Sequence, residues 1–211
     1  MNILETSRLQ QNISCNLIII DNFYENPMEV REFAIKQIED YQYNDYHPGK
    51  RSSSFATEKH KEIFNKIIEP FFGKITDFNM SKDKEINGNG SFQYNTSHDI
   101  QTWIHVDNSH STNWGAIIYL TPDAPLSGGT GFFKYKDGNL FEADENILHN
   151  WHIISKYCKD YTKWELVSSV GNIFNRLILF RSDQYHASLD YFGKDIEDGR
   201  LIQLFFFKTE R

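Results

Sequence analysis

Residues 103–108 read Trp-Ile-His-Val-Asp-Asn, and within them His105 and Asp107 stand two positions apart. On an extended segment, side chains two apart leave from the same face, so this imidazole and carboxylate can reach one ion together. A third ligand has to come from elsewhere. His186, in Asp183-Gln184-Tyr185-His186, follows the apolar run 176–180 and a turn, where a neighbouring strand can present it. Two imidazoles and one carboxylate on one face of an ion leave three positions open. That is the donor set of iron(II) sites, which need room for a bidentate cosubstrate and for O2. An H-x-D alone is more often an exposed polar pair than a metal site. His98, His110, His149 and His152 read as surface or packing histidines. His105 and His186 stand out because both belong to short apolar strands and neither lies in a run of charge.

A second feature sits near the C-terminus, where Arg200 opens the otherwise apolar run 201–207, Leu-Ile-Gln-Leu-Phe-Phe-Phe. A guanidinium at the edge of a buried face needs a partner, because an unpaired desolvated charge is costly. The distal carboxylate of a dicarboxylate would satisfy it with two parallel hydrogen bonds. An internal salt bridge to one of the 29 Asp and Glu residues satisfies it equally well. Arg176, in Asn175-Arg176-Leu177-Ile178-Leu179-Phe180, competes for the same role, and Arg181 does so less strongly.

The elements that must position these residues fall into two halves. With 211 residues, 39% of them hydrophobic and 15% aromatic, the chain can build one domain with a full-sized core. In the first half, Leu17–Ile20 reads as a buried strand. Asn26-Pro27 opens a helix whose apolar face is Met28, Val30, Phe33, Ala34 and Ile38. The segment from Tyr46 to Ser54 reads as a polar loop. Glu58 to Phe72 reads as an amphipathic helix with Ile63, Ile67 and Ile68 on its apolar face and Gly73 at its end. Ser81 to Gly90 reads as a surface turn. From residue 91 onward the segments are short, aromatic and β-branched: Ser91–Tyr94, Thr102–Val106, Gly115–Leu120, Gly131–Tyr135, Leu166–Val170, Arg176–Phe180 and Leu201–Phe207. Turn signals such as Ser127-Gly128-Gly129 and Asp198-Gly199 separate them, which predicts a sandwich or barrel-like jelly roll. Residues 139–161 interrupt the pattern as a partly helical insert.

The net charge of −7, with no run of Lys or Arg, disfavours sequence-independent binding to nucleic acid. Cys15 and Cys158 are far apart in sequence and read as free thiols. Met1 to Gln11 lacks the apolar stretch of a secretory signal, and Leu17–Ile20 is far too short to span a bilayer. The expected location is the cytoplasm, with no membrane partner.

Taken as a set, these residues resemble the 2-oxoglutarate/Fe(II) oxygenase superfamily and, within it, the prolyl-hydroxylase-like branch. The resemblance runs through His105-Val106-Asp107-Asn108, Tyr119-Leu120, Gly128-Gly129-Thr130-Gly131-Phe132, Asn175 to Phe180, His186, and Arg200 leading an apolar strand. The N-terminal Ile18 to Tyr24, Asn26-Pro27 and Pro48-Gly49-Lys50-Arg51 look like an uncharacterised bacterial and phage subgroup. What the resemblance implies is a mainly β fold with N-terminal helices and a double-stranded β-helix (jelly-roll, cupin-like) core. A single domain would span 1–211, with 1–90 as helical support and 91–207 as the core, interrupted by an insert at 139–165. It also implies His105, Asp107 and His186 as iron ligands, Arg200 and Tyr119 at the distal carboxylate of 2-oxoglutarate, and Tyr94 as a further pocket tyrosine. The cofactors implied are Fe(II), 2-oxoglutarate and O2. Related halogenases lack a carboxylate at the position of Asp107, so its presence argues for hydroxylation.

The implied reaction is hydroxylation of an unactivated C–H bond, on a protein side chain or a small molecule, with release of succinate and CO2. The long insert is a departure from ordinary prolyl hydroxylases. It puts a prolyl substrate in doubt, and Trp151, Tyr157, Tyr161 and Trp164 within or beside it serve equally as groove or as core. Three other classes accommodate the histidines: a cupin-like metal protein without 2-oxoglutarate, which has no need of Arg200, a non-catalytic jelly-roll binding module, and a zinc hydrolase, for which the sequence offers no identifiable general base. A homodimer is the default assembly, because dimers are the commonest oligomers.

Overall fold

Near-continuous apolar runs give strands buried on both faces, and the computed structural model arranges its strands in two sheets. It describes residues 15–44, 47–81, 88–100, 102–107, 112–137, 140, 142 and 153–211. In chain order these form β1 (Leu17–Ile20), α1 (Pro27–Lys36), β2 (Gln42–Asn44), β3 (His47–Ser54), α2 (Glu58–Phe72), β4 (Ile75–Asp77), β5 (Ser91–Asn95), β6 (Trp114–Tyr119), β7 (Thr130–Tyr135), β8 (Trp164–Val170), β9 (Leu177–Arg181), β10 (His186–Ser188) and β11 (Arg200–Thr209). The larger sheet has the order β1-β9-β6-β11-β5-β3-β2, with β4 paired to the end of β11, and the smaller has the order β10-β7-β8. Every pairing between these strands is antiparallel. The result is a mainly β fold with few helices.

β11 is the spine of the larger sheet, pairing Ile202–Phe207 with β6 and Arg200–Gln203 with β5. Period two sends Leu201, Phe205 and Phe207 to one face, where they join Trp114, Ile118 and Leu179 under Ala34 of α1 and Phe64 and Ile68 of α2. Ile202 and Leu204 face the other way. With Ile117, Tyr119, Ile178 and Phe180 they pack against Phe132 and Val170 of the smaller sheet. Phe133 and Tyr135, on the far side of β7, pack with Ile104, Ile153, Trp164 and Tyr185. The helices therefore back the larger sheet, and the space between the sheets is left for a site.

Where the structure departs from the sequence reading, the cause is tertiary. The segment read as a polar loop at 46–54 is largely β3, which pairs with β2 and β5 on its two edges. Backbone pairing, supplemented by a hydrogen bond from the Phe92 amide to Ser52 Oγ, holds a strand that has no apolar pattern. Conversely, 102–106 forms no strand; only His105 pairs, as an isolated bridge to His186. The helix α1 starts at Pro27 as read, but its buried face is rotated. Ala34 and Arg31 are buried, whereas Met28, Phe33 and Ile38 are 43–46% exposed. Arg31 is drawn inward because its guanidinium donates to the carbonyls of Leu120, at 3.0 Å, and Glu197. On α2 the buried pair is Phe64 and Ile68 rather than the isoleucines alone.

β1 is an edge strand with Ile19 45% exposed, not a buried one. Of the insert, Leu140 bridges Tyr135, Glu142 bridges Gln184 and residues 153–157 are helical. Of its described aromatics Trp164 is core, buried with Tyr135, whereas Tyr161 meets Phe133 edge-on but is 39% exposed. Trp151 and the turn at 82–87 lie outside the described residues. Cys15 and Cys158 are both free. Among the described residues no helix is long and apolar enough to cross a membrane.

Phe64 is fully buried against the rings of Phe23, Phe205 and Phe207. Phe64→Ala is expected to lower the unfolding free energy by about 3–5 kcal/mol, as a large cavity in a packed core does. Met28→Ala, on the exposed side of α1, is expected to stay within about 0.5 kcal/mol of wild type. Urea unfolding of the two variants checks both.

Candidate metal centre

His105 and His186 face each other across a two-way backbone bridge. The His105 amide donates to the His186 carbonyl at 3.0 Å, and the His186 amide donates back at 2.8 Å. His186 opens β10 and so is carried by the smaller sheet, while the Asp107 amide donates to the Ser182 carbonyl at 2.8 Å and fixes the third residue beside them. The imidazole centroids lie 4.4 Å apart. Each Nδ1 is held by a backbone carbonyl two residues earlier, His105 on Trp103 at 2.8 Å and His186 on Gln184 at 2.9 Å. A carbonyl only accepts, so Nδ1 carries the proton and Nε2 is the atom left to bind a metal. His105 Nε2 lies 3.5 Å from one oxygen of Asp107, and His186 Nε2 lies 3.2 Å from the other. One ligand atom from each residue falls within 4.8 Å of the other two, the only such group among the described residues.

Without a metal, the three residues satisfy one another. Burial by itself would raise the Asp107 carboxyl, but the charge of His186 and hydrogen bonds from both imidazoles outweigh it and hold the group well below the usual carboxylate range. Burial likewise works to lower His105, yet its hydrogen bond and attraction to Asp107 leave it raised. A carboxylate that stays ionised between two imidazoles is the electrostatic counterpart of a cation-binding site.

The residues expected at the far end of the cosubstrate are placed as follows. Arg200 is fully buried; its Nε donates to the Gly128 carbonyl at 2.7 Å, while Nη1 and Nη2 have no hydrogen-bond partner. The Gly128-Gly129 turn is needed for this approach, since a Cβ on Gly129 would overlap the Val170 carbonyl. Tyr119 is also fully buried. Its hydroxyl bonds Thr130 Oγ1 at 2.7 Å, and its ring centroid lies 5.6 Å from the Arg200 guanidinium carbon. Burial pushes the Tyr119 hydroxyl up, opposed in part by the charge of Arg200. The competing arginines are spoken for. Arg176 makes a two-pronged pair with Asp21 at 2.6 and 2.9 Å, and Arg181 pairs with Asp183 at 3.0 Å. Tyr94 is a correction: it sits on the helix-facing side of β5, its ring 5.4 Å from that of Tyr41, because period two turns Gln93 and not Tyr94 toward the sheet interior.

The triad opens on a cavity of about 200 Å³ whose lining also includes Thr130, Ser188, Tyr191 and Ile202. The same lining holds His47, Arg51 and Gln93, none of which the sequence reading gave a role. The sequence signal was Pro48-Gly49-Lys50-Arg51, but read as a loop it offered no reason to aim a side chain inward. His98 is exposed, and His110, His149 and His152 lie outside the described residues.

The architecture is that of known enzymes. A prolyl hydroxylase from Trichoplax adhaerens, solved with a peptide of the hypoxia-inducible factor oxygen-degradation domain, superposes with a TM-score of 0.55 at 16% identity, over 94% of this chain and 85% of that one. A prolyl-4-hydroxylase from Pseudomonas putida superposes with a TM-score of 0.52 at 13% identity, over 93% and 94%. HygX from Streptomyces hygroscopicus, solved with nickel and 2-oxoglutarate, gives 0.55 at 9% identity, over 92% and 83%. At these identities the likeness is one of fold. No functionally curated protein matches the sequence. The sequence over residues 4–207 matches the model of the family of unknown function DUF6445, and the chain belongs to that family.

Proposed function

We propose that the protein is an Fe(II)- and 2-oxoglutarate-dependent dioxygenase, a single domain built on a double-stranded β-helix (jelly-roll) core, that hydroxylates an unactivated C–H bond. The observation that carries this reading is a His-Asp-His cluster in one inter-sheet region with a buried guanidinium whose two terminal nitrogens are unpartnered. An orphaned buried cation is expensive unless a ligand anion completes it. The shared fold with HygX, which binds 2-oxoglutarate and metal, supports the same reading.

In this reading the Nε2 atoms of His105 and His186 and a carboxylate oxygen of Asp107 hold the iron, and the carbonyls of Trp103 and Gln184 keep both imidazoles in the binding tautomer. Arg200 Nη1 and Nη2 take the distal carboxylate of 2-oxoglutarate, and Tyr119 with Thr130 closes that end of the pocket. Bound iron and 2-oxoglutarate would supply the oxidation by O2, with succinate and CO2 as products. The apolar wall of Phe180, Ile117 and Leu204 excludes water from the reacting centre. The donor set fits iron(II), and zinc, nickel or copper would compete for it in a purified sample.

His186→Ala and Asp107→Ala are each expected to abolish stoichiometric Mn(II) binding while keeping the wild-type circular dichroism, which calorimetric titration of metal-free protein checks. Added anaerobically to Fe(II)-loaded protein, 2-oxoglutarate is expected to produce a weak visible charge-transfer band that requires both components. Arg200→Gln is expected to weaken 2-oxoglutarate binding at least about tenfold, the loss of a charge-assisted pair, with metal affinity unchanged. Metal binding without the band in wild type would remove 2-oxoglutarate from the account.

A further inference from the structure

Arg51 lines the same cavity as the metal ligands. It is not placed by chance. Gln93 Oε1 accepts from both Nε and Nη2 of Arg51, at 3.0 and 2.6 Å. Gln93 Nε2 in turn donates to the Pro48 carbonyl at 3.1 Å and to Asn95 Oδ1 at 3.2 Å. Gln93 is itself buried, so the amide is locked and the guanidinium is held with it. Yet Gln93 is neutral. Among the described residues no carboxylate lies within ion-pair distance of Arg51, and Nη1 has no hydrogen-bond partner. Asp107 attracts it only from a distance, while burial pulls the guanidinium down to about 10, where it still carries its charge at neutral pH. His47, on the same wall, has a buried Nδ1 without a partner. Burial and the neighbouring Arg51 lower this imidazole to about 4, so it stands as a neutral hydrogen-bonding group.

The charges of the cavity can be matched one by one. On the reading above, the Asp107 carboxylate and the two carboxylates of 2-oxoglutarate are together balanced by a divalent ion and Arg200. Arg51 remains over. A half-buried cation held in a fixed orientation, lining a cavity and, among the described residues, paired only with an amide, is a socket for an anion.

We propose that Arg51, positioned by Gln93 and assisted by His47, binds a carboxylate of the primary substrate, so that the substrate is a carboxylate-bearing molecule whose reacting C–H is presented to the metal across the cavity. The proposal rests on the oxygenase reading of this site. A single guanidinium with a neutral imidazole matches one negative charge; a phosphate would bring close to two. The planar fork of Arg51 also suits a planar carboxylate, and Gln93 occupies only one edge of it. This assigns Arg51 a different anion from Arg200, whose terminal nitrogens are enclosed by Tyr119 and the Gly128 turn.

The test uses full-length protein, anaerobic, loaded with Mn(II) and saturating 2-oxoglutarate, so that the metal and the Arg200 end are filled. N-acetylglycine and its neutral counterpart N-acetylglycinamide are then titrated by calorimetry. The carboxylate is expected to bind about tenfold more tightly than the amide, the worth of one charge-assisted hydrogen-bonded contact. Arg51→Gln is expected to bring the two probes within about twofold of each other, and Arg51→Lys to keep part of the preference because it keeps the charge. Thermal unfolding and the 2-oxoglutarate affinity of each variant report whether the fold and the cosubstrate end are intact. Equal affinities in wild type, no binding of either probe, or a preference that survives Arg51→Gln would overturn the proposal. Loss of 2-oxoglutarate binding in Arg51→Gln alongside its retention in Arg200→Gln would overturn it too, by making Arg51 the cosubstrate's partner. If 2-oxoglutarate fails to bind wild type at all, the oxygenase reading fails separately, and the probe comparison in the Mn(II) protein still decides the role of Arg51.

Discussion

Two backbone hydrogen bonds between His105 and His186 join the loop after β5 to β10, and the site depends on them. Neither residue could present its ring to the other from side-chain packing alone, because the segment 102–107 makes no further ladder. The bridge sets the two imidazoles side by side at a tilt of 51°, and the Nδ1 contacts to Trp103 and Gln184 then fix the rotation of each ring. Each hydrogen bond contributes only about 0.5–1.5 kcal/mol to stability. Their joint effect is geometric: they turn two histidines 81 positions apart into one bidentate unit, with Asp107 tied to Ser182 as the third donor.

That geometry is affordable because β11 is buried on both faces. Its helix-facing side chains, Leu201, Phe205 and Phe207, anchor the larger sheet to α2, so the opposite face can give up continuous packing and leave a cavity. Arg200 enters at the start of the same strand, where the strand leaves the turn at Asp198-Gly199 and the Gly128 carbonyl is within reach. One strand thus carries both the core and the charge at the end of the pocket.

The parts legible in sequence were those governed by local periodicity. Most strands after residue 91 and the helix Glu58–Phe72 follow from patterns of two and 3.6 residues, whereas 102–106, read as a strand, pairs only at His105. The structure places His186 and Arg200 at the starts of β10 and β11; His186 was legible because it follows the apolar run 176–180 and a turn, and Arg200 because it leads the run 201–207. β3 was not, since its sequence, His-Pro-Gly-Lys-Arg-Ser-Ser-Ser, has no apolar alternation and becomes a strand only by pairing with β2 and β5. With the strand went Arg51, whose inward aim is a consequence of that pairing. Tyr94 failed for the opposite reason. It lies on a correctly read strand, but which face of β5 looks inward is decided by its register with β11, where Tyr94 sits opposite Leu201 on the helix side.

Unpartnered polar atoms in a folded protein are few and costly, so their location carries information. Here the Nδ1 of His47 belongs to a residue lining the cavity that also holds the triad, and the two terminal nitrogens of Arg200 lie in the core beside Tyr119. A chain selected only for stability would pair or replace them, since a neutral side chain at either place would remove an uncompensated desolvation. Keeping the Arg200 and Arg51 guanidiniums and an ionised Asp107 in the fold instead lowers stability, and on the proposed function it raises the gain when charged ligands bind, because binding would draw on the same electrostatic energy. On the proposed function, charged ligands would engage three points, the triad, Arg200 and Arg51, and the apolar residues around them would strengthen each of those interactions by keeping water away.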